Sequence, residues 1–163
     1  CLDFNKLNRL ENLGTIIEKS SAIKILIDHH LGPDAFADHN FCDDKASSTS
    51  ELVYDFILQM QDQALMDAII AMCLYSGILM DTDRFRIPTT SPKVHRIAAE
   101  LMEFGIDHSE IYRQLYETFS ENRLRLLGFC IREKLEVVKE LRTGSIALEN
   151  EDLNLFNAQL GDT

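Results

Sequence analysis

The chain has 163 residues, the size of one ordinary domain or of part of a larger protein. Its 45% hydrophobic and 26% charged residues are those of a globular protein and exclude a disordered tail. The net charge of −11 disfavours long duplex DNA and membrane surfaces as partners, and leaves room for a small anion whose charge is met by metal cations.

In chain order, Cys1-Leu2 reads as the remnant of a strand, followed directly by Asp3. The chain starts inside an apolar run and closes on Gly161-Asp162-Thr163, so both ends are expected to be cuts through a longer polypeptide. Leu7, Leu10, Leu13, Ile16 and Ile17 follow helical spacing over 7–19, with Gly14 weakening the pattern. The β-branched run 23–27 predicts a buried strand ending at Asp28-His29-His30. Residues 34–47 are polar and rich in turn formers, and predict an irregular loop.

Ser48-Thr49-Ser50-Glu51 is a capping box opening a helix to about Met60. A nearly all-apolar helix from about Ala64 to Leu79 is expected to be buried, and is too short to cross a bilayer. Ser91-Pro92 starts a helix that stops at Gly105; Asp107 and Ser120 cap two more, the latter reaching about Arg132. Beyond it, 135–141 and 145–148 are expected to pair as strands around Thr143-Gly144, with a short helix after Asn150. Met60, Met66, Met72, Phe104 and Phe119 fit core packing. The fold class is therefore α/β, helix-rich, a parallel sheet with flanking helices, with a boundary near residue 133.

The four cysteines, widely spaced and without a CxxC pair, fit free thiols in a reducing compartment. No signal peptide opens the chain, and a cytoplasmic location is expected.

Three places carry chemistry. Asp28-His29-His30 would arise by composition roughly once in a hundred such chains, and stands at the carboxyl end of a strand, where open α/β sheets bind ligands. Imidazole beside carboxylate suits a transition-metal or magnesium site, the alternative being a polar loop with solvated histidines. Asp81 and Asp83 end the apolar helix, where the macrodipole disfavours a carboxylate by about 0.3–1 kcal/mol, which a cation would offset. For Asp83, pairing with Arg84 or Arg86 is the alternative. Asp3 gains meaning only if its strand neighbours the one ending at Asp28, so that both acids share a cleft. His39, His95 and His108 read as surface residues.

These segments together resemble the DHH phosphoesterase family. IDHHLGP matches its Asp-His-His motif, GILMDTDRF its GI-x-x-DTG-x-F motif, and LDFNKLNRL its lone aspartate after a strand; ASSTSELVYDFI is also similar. Within the family, the branch of nanoRNases and 3′-phosphoadenosine-5′-phosphate phosphatases is the most similar. The resemblance implies two divalent metal ions, manganese foremost, with magnesium or cobalt as options. It implies that Asp3 bridges the ions and that His29 and Asp81 complete one of them. His30 would face the substrate phosphate as a catalytic residue, Asp28 would orient the histidines, and Arg84 would assist substrate binding.

Two cations about 3.5–4 Å apart can activate water and stabilise entering and leaving oxygens, which agrees with that division of roles. The family's first motif, His-x-x-x-Asp-x-Asp, would precede residue 1, and its Gly-Gly-Gly-His segment would follow the chain. The resemblance therefore implies that residues 1–133 are a DHH domain without its first strand and that 134–163, closing on FNAQLGDT, begin the C-terminal domain. It also implies that this stretch alone is inactive. Asp83 replaces the usual glycine.

The expected substrates are short oligonucleotides or phosphorylated nucleosides. A RecJ-like single-strand exonuclease and a polyphosphate- or pyrophosphate-cleaving enzyme are the alternatives. From a different class, a non-catalytic binding or dimerisation module remains open, as does a homodimer.

Overall fold

A computed structural model describes residues 1–158; of the closing FNAQLGDT, residues 159–163 lie outside the described residues. The chain forms two compact units, Cys1–Ile111 and the residues from Tyr112 onward, a division by contact that falls earlier than the change in sequence character near 133.

In the first unit, the expected helix over 7–19 is interrupted. A 3-10 turn, Leu7–Leu10, precedes helix α1, Asn12–Lys19, and Glu11 between them has φ +47°. The break folds the turn back onto α1 at Gly14, where a Cβ would meet the Leu7 carbonyl oxygen at 2.1 Å. Strand β1, Ile25–Asp28, buries Leu26, Ile27 and Asp28, as its apolar run requires.

The stretch read as an irregular loop contains strand β2, His39–Cys42, parallel to β1 with Ile25 opposite His39 and Asp28 opposite Cys42. This edge strand is only half-covered, so it lacks the apolar alternation that would have betrayed it. On the other side of β1, Leu2 bridges Ile27 in parallel; the Ile27 amide donates to the Cys1 carbonyl and the Asp3 amide to the Ile27 carbonyl. Asp3 and Asp28 therefore leave neighbouring parallel segments at the same end.

Helix α2, Thr49–Gln59, starts at the expected cap: the Ser48 hydroxyl accepts the Glu51 amide. Ile27, Ala46 and Leu52 form a core beneath it, joined by Phe41, Val53 and Phe56. Helix α3, Ala68–Asp81, follows a separate 3-10 turn at Gln63–Leu65. The expectation that it is wholly buried does not hold. Only Ala71, Leu74, Tyr75, Ile78 and Leu79 are buried, one helical face against α2 and the next helix, whereas Ile69, Met72 and Met80 are exposed. The same limited coverage corrects the core list: Met66 is buried, but Met60, Met72, Phe104 and Phe119 are exposed.

Helix α4, Pro92–Met102, is capped by Ser91 and tied to α2 by Tyr54, whose hydroxyl donates to Glu100, and by Lys93 between Glu51 and Asp55. Burial first, then Glu100, pushes the Tyr54 phenol up from its ordinary range. Helix α5, His108–Tyr116, begins where Asp107 accepts the Glu110 amide.

In the second unit, helix α6, Glu121–Phe129, passes into a π-helical turn, Cys130–Lys134, ending near the expected place. Strands β3, Leu135–Val138, and β4, Thr143–Ile146, pair antiparallel. Thr143 and Gly144 lie in the strand rather than the turn, and Arg142, at φ +49°, reverses the chain. Helix α7, Asn150–Leu155, follows. All four cysteines are free, and no helix among the described residues is long and apolar enough to cross a membrane.

Candidate metal centre

The centre is built at the carboxyl end of β1. A strand leaving a sheet exposes its next residues to the crevice, and here those residues are His29 and His30, with Asp28 the last paired position. Asp28 is 0% exposed, and its Oδ1 lies 2.7 Å from His30 Nδ1. A carboxylate only accepts, so this bond places a proton on Nδ1 and turns Nε2 outward. The other carboxylate oxygen, Oδ2, is buried without a partner.

His29 is held differently. Its Nδ1 lies 3.3 Å from the Ala46 carbonyl, which leaves Nε2 toward the cleft. Asp28 thus orients His30, while a backbone carbonyl, not Asp28, orients His29. Around His29 Nε2 two carboxylates converge: Asp3 Oδ1 at 3.8 Å and Asp81 Oδ2 at 3.6 Å. Asp3 Oδ1 is also 3.9 Å from His30 Nδ1, and Asp3, His29 and His30 offer donor atoms within 4.8 Å of one another. Asp3, His29 and Asp81, named from three separate segments, therefore meet in one place.

Asp81 comes from the C-terminal end of α3, whose approach to α2 is close: a Cβ on Gly77 would meet Ser50 Oγ at 2.0 Å. Burial pushes the Asp81 carboxyl above its usual range and the charge of Asp3 adds to this, against His29 and His30, which lower it. A cleft of about 380 Å³ opens beside the two acids, lined by Thr49, Val53, Cys73, Gly77 and Met80 among others.

Asp83 pairs with both neighbouring arginines, the alternative its sequence context offered. Arg84 Nη2 lies 2.7 Å from Asp83 Oδ1, and Arg86 pairs with Asp83 Oδ2. These two guanidinium groups hold the Asp83 carboxyl below its usual range. His39, His95 and His108 are exposed, as expected of surface residues.

Two contributors escaped the sequence. The Ala46 carbonyl carries no side-chain signal at all. Thr49 donates from Oγ1 to Asp3 Oδ1 at 2.8 Å, though its segment reads only as a helix start. Its one clue is that Ser48 already supplies the cap, so the Thr49 hydroxyl has no duty to the helix.

Known proteins are similar to this chain over most of its length. Residues 1–78 match the DHH family, N-terminal domain. The chain is 38% identical over 143 residues to a Streptococcus mutans protein named "Probable bifunctional oligoribonuclease and PAP phosphatase NrnA", covering 85% of this chain and 43% of that protein. It is 33% identical over 138 residues to the bifunctional oligoribonuclease and PAP phosphatase NrnA of Bacillus subtilis, covering 84% of this chain and 43% of that protein. The crystal structure of an exopolyphosphatase-related protein from Bacteroides fragilis superposes with a TM-score of 0.94 at 37% identity, over 99% of this chain and 47% of that one. The chain thus spans less than half the length of these relatives.

Proposed function

The chain belongs to the DHH family, and from that premise we propose that it holds metal for a phosphoesterase acting on short oligonucleotides or 3′-phosphoadenosine 5′-phosphate. The observation that carries the reading is the convergence of Asp3 and Asp81 on His29 Nε2 at the end of a strand. Two carboxylates and an imidazole are a mixed oxygen and nitrogen donor set that suits manganese, cobalt or magnesium. Burial, and after it the charge of Asp3, raises the Asp81 carboxyl, and a divalent cation would stabilise its ionised form. In this proposal Asp3, His29 and Asp81 hold divalent ions, two in number and manganese foremost.

When bound, such ions supply Lewis acidity and an activated water. The chain's own residues do the rest. Asp3 and Asp81 place negative charge on the cation side of the cleft, and the Ala46 carbonyl keeps His29 Nε2 turned to them. Asp28 accepts from His30 Nδ1, and a cationic His30, with a second proton on Nε2, would be able to donate to a phosphoryl oxygen. Arg84, engaged by Asp83, would reach phosphate only by exchanging that partner.

The test uses the intact protein. Asp81→Asn is expected to weaken manganese binding by about tenfold or more and to abolish turnover of a short oligoribonucleotide. Wild-type affinity and turnover in that variant would overturn the reading. The name of the Bacteroides fragilis structure favours a polyphosphatase as the second reading. Faster cleavage of polyphosphate than of the oligoribonucleotide or 3′-phosphoadenosine 5′-phosphate would replace the first with the second. Metal binding with no turnover on any of them would instead favour a binding module.

A further inference from the structure

We propose that Thr49 is a positioning residue for Asp3, fixing that carboxylate before a cation arrives; the inference rests on the metal-site reading above. Asp3 is poorly anchored by its own backbone. It stands just past an isolated bridge, at φ +63°, and its side chain is 57% exposed. Left alone, such a carboxylate samples several rotamers, and fixing it on binding costs side-chain entropy. His29 and His30 approach it at 3.8 and 3.9 Å, beyond hydrogen-bond reach. The Thr49 hydroxyl is within reach, at 2.8 Å from Oδ1.

Thr49 is itself held firmly. It is 6% exposed at the first position of α2. The segment before it is locked by Glu51, whose Oε2 accepts the Ser47 amide at 2.8 Å and the Ser47 hydroxyl at 2.9 Å, while Oε1 faces Lys93 Nζ at 3.1 Å. Ala46, in the same stretch, presents the carbonyl that faces His29 Nδ1. One rigid turn at 46–49 thus sets the direction of two metal-side groups, Asp3 and His29. A carboxylate has about four acceptor sites, so a single hydrogen bond to Oδ1 leaves the others for cations.

The experiment is a manganese titration of the intact protein, followed by electron paramagnetic resonance. Thr49→Val keeps the shape and removes the donor; its manganese dissociation constant is expected to rise about tenfold, the range typical of losing a ligand's hydrogen-bond partner. Thr49→Ser restores the hydroxyl and is expected to return the constant to near wild type. Wild-type affinity in Thr49→Val, with Asp81→Asn binding weakly, would overturn the role of Thr49 and leave the metal site standing. Failure of Thr49→Ser to recover affinity would also overturn it, because a structural defect and not the hydroxyl would then be at fault. Unchanged binding in Asp81→Asn would instead remove the reading beneath it. If Thr49→Val does not fold, as judged by circular dichroism, Thr49→Ala takes its place with the same expectation.

Discussion

Asp83 shows how a single position can carry backbone strain beside a functional group. Asp83, Arg84 and Phe85 all have positive φ, at 44°, 63° and 63°. Left-handed backbone costs L-residues roughly 1–2 kcal/mol each, so the turn needs outside support. The buried Thr82 gives it: its hydroxyl donates to the Ile78 carbonyl and accepts the Phe85 amide, and its carbonyl accepts the Arg86 and Ile87 amides. The family's usual glycine at position 83 fits the same geometry, because glycine adopts positive φ without penalty. Asp83→Ala should therefore lower stability in urea unfolding, because it keeps the left-handed backbone cost and loses the guanidinium pairs. Asp83→Gly should lose less, since it forfeits the same exposed ion pairs but relieves the left-handed backbone. Equal losses would mean that the guanidinium pairs, not the backbone, hold the turn. The pairing of Asp83 with arginine was legible in the sequence because its partners are near neighbours; the support from Thr82 was not.

Local elements followed their local signals where caps and periodicity agreed. Ser48, Ser91 and Ser120 each cap the helix expected of them, because an N-cap acts only on the next turn of chain. Strand β2 escaped because a short edge strand takes its order from β1 rather than from its own pattern. Helix α7 offers a pH test of such local bonds. Asp152 Oδ2 accepts the Glu149 amide at 2.9 Å and lies 2.7 Å from Lys134 Nζ; these, the amide first, hold its carboxyl below the usual 3.8. Between that lowered value and 3.8 the unfolded chain binds more protons than the folded one. The stabilisation is thus complete above 3.8 and is lost as pH falls through the folded value. Acid titration followed by amide exchange should show α7 loosening below the usual carboxylate range, and Asp152→Asn should show no such step. An identical acid step in the variant would assign the transition to another group.

Charge over the chain points the same way as the centre. The net charge is −11, and Asp3, Asp28 and Asp81 gather part of it where His29 and His30 stand. A ligand that binds only the folded state stabilises by RT ln(1 + [L]/Kd), about 2.7 kcal/mol at a hundredfold excess over Kd. Manganese should accordingly raise the melting temperature of the intact protein, and Asp81→Asn should remove most of that rise. A rise that survives Asp81→Asn would place the binding elsewhere.

The amino-acid sequence alone told much of this: the Asp28-His29-His30 ending of a buried strand, the helix caps and Asp81 at the end of an apolar helix are signals carried by adjacent or periodically spaced residues, whereas Asp3 stood out only through the family resemblance. The approach of Asp81 to His29, the Ala46 carbonyl at His29 and the Thr49 hydroxyl at Asp3, 46 residues away along the chain, came from packing. So did the exposed face of α3. The reason is physical: periodicity reports which side of an element is apolar, whereas which groups meet across elements depends on crossing and close approach, as between Ser50 and Gly77.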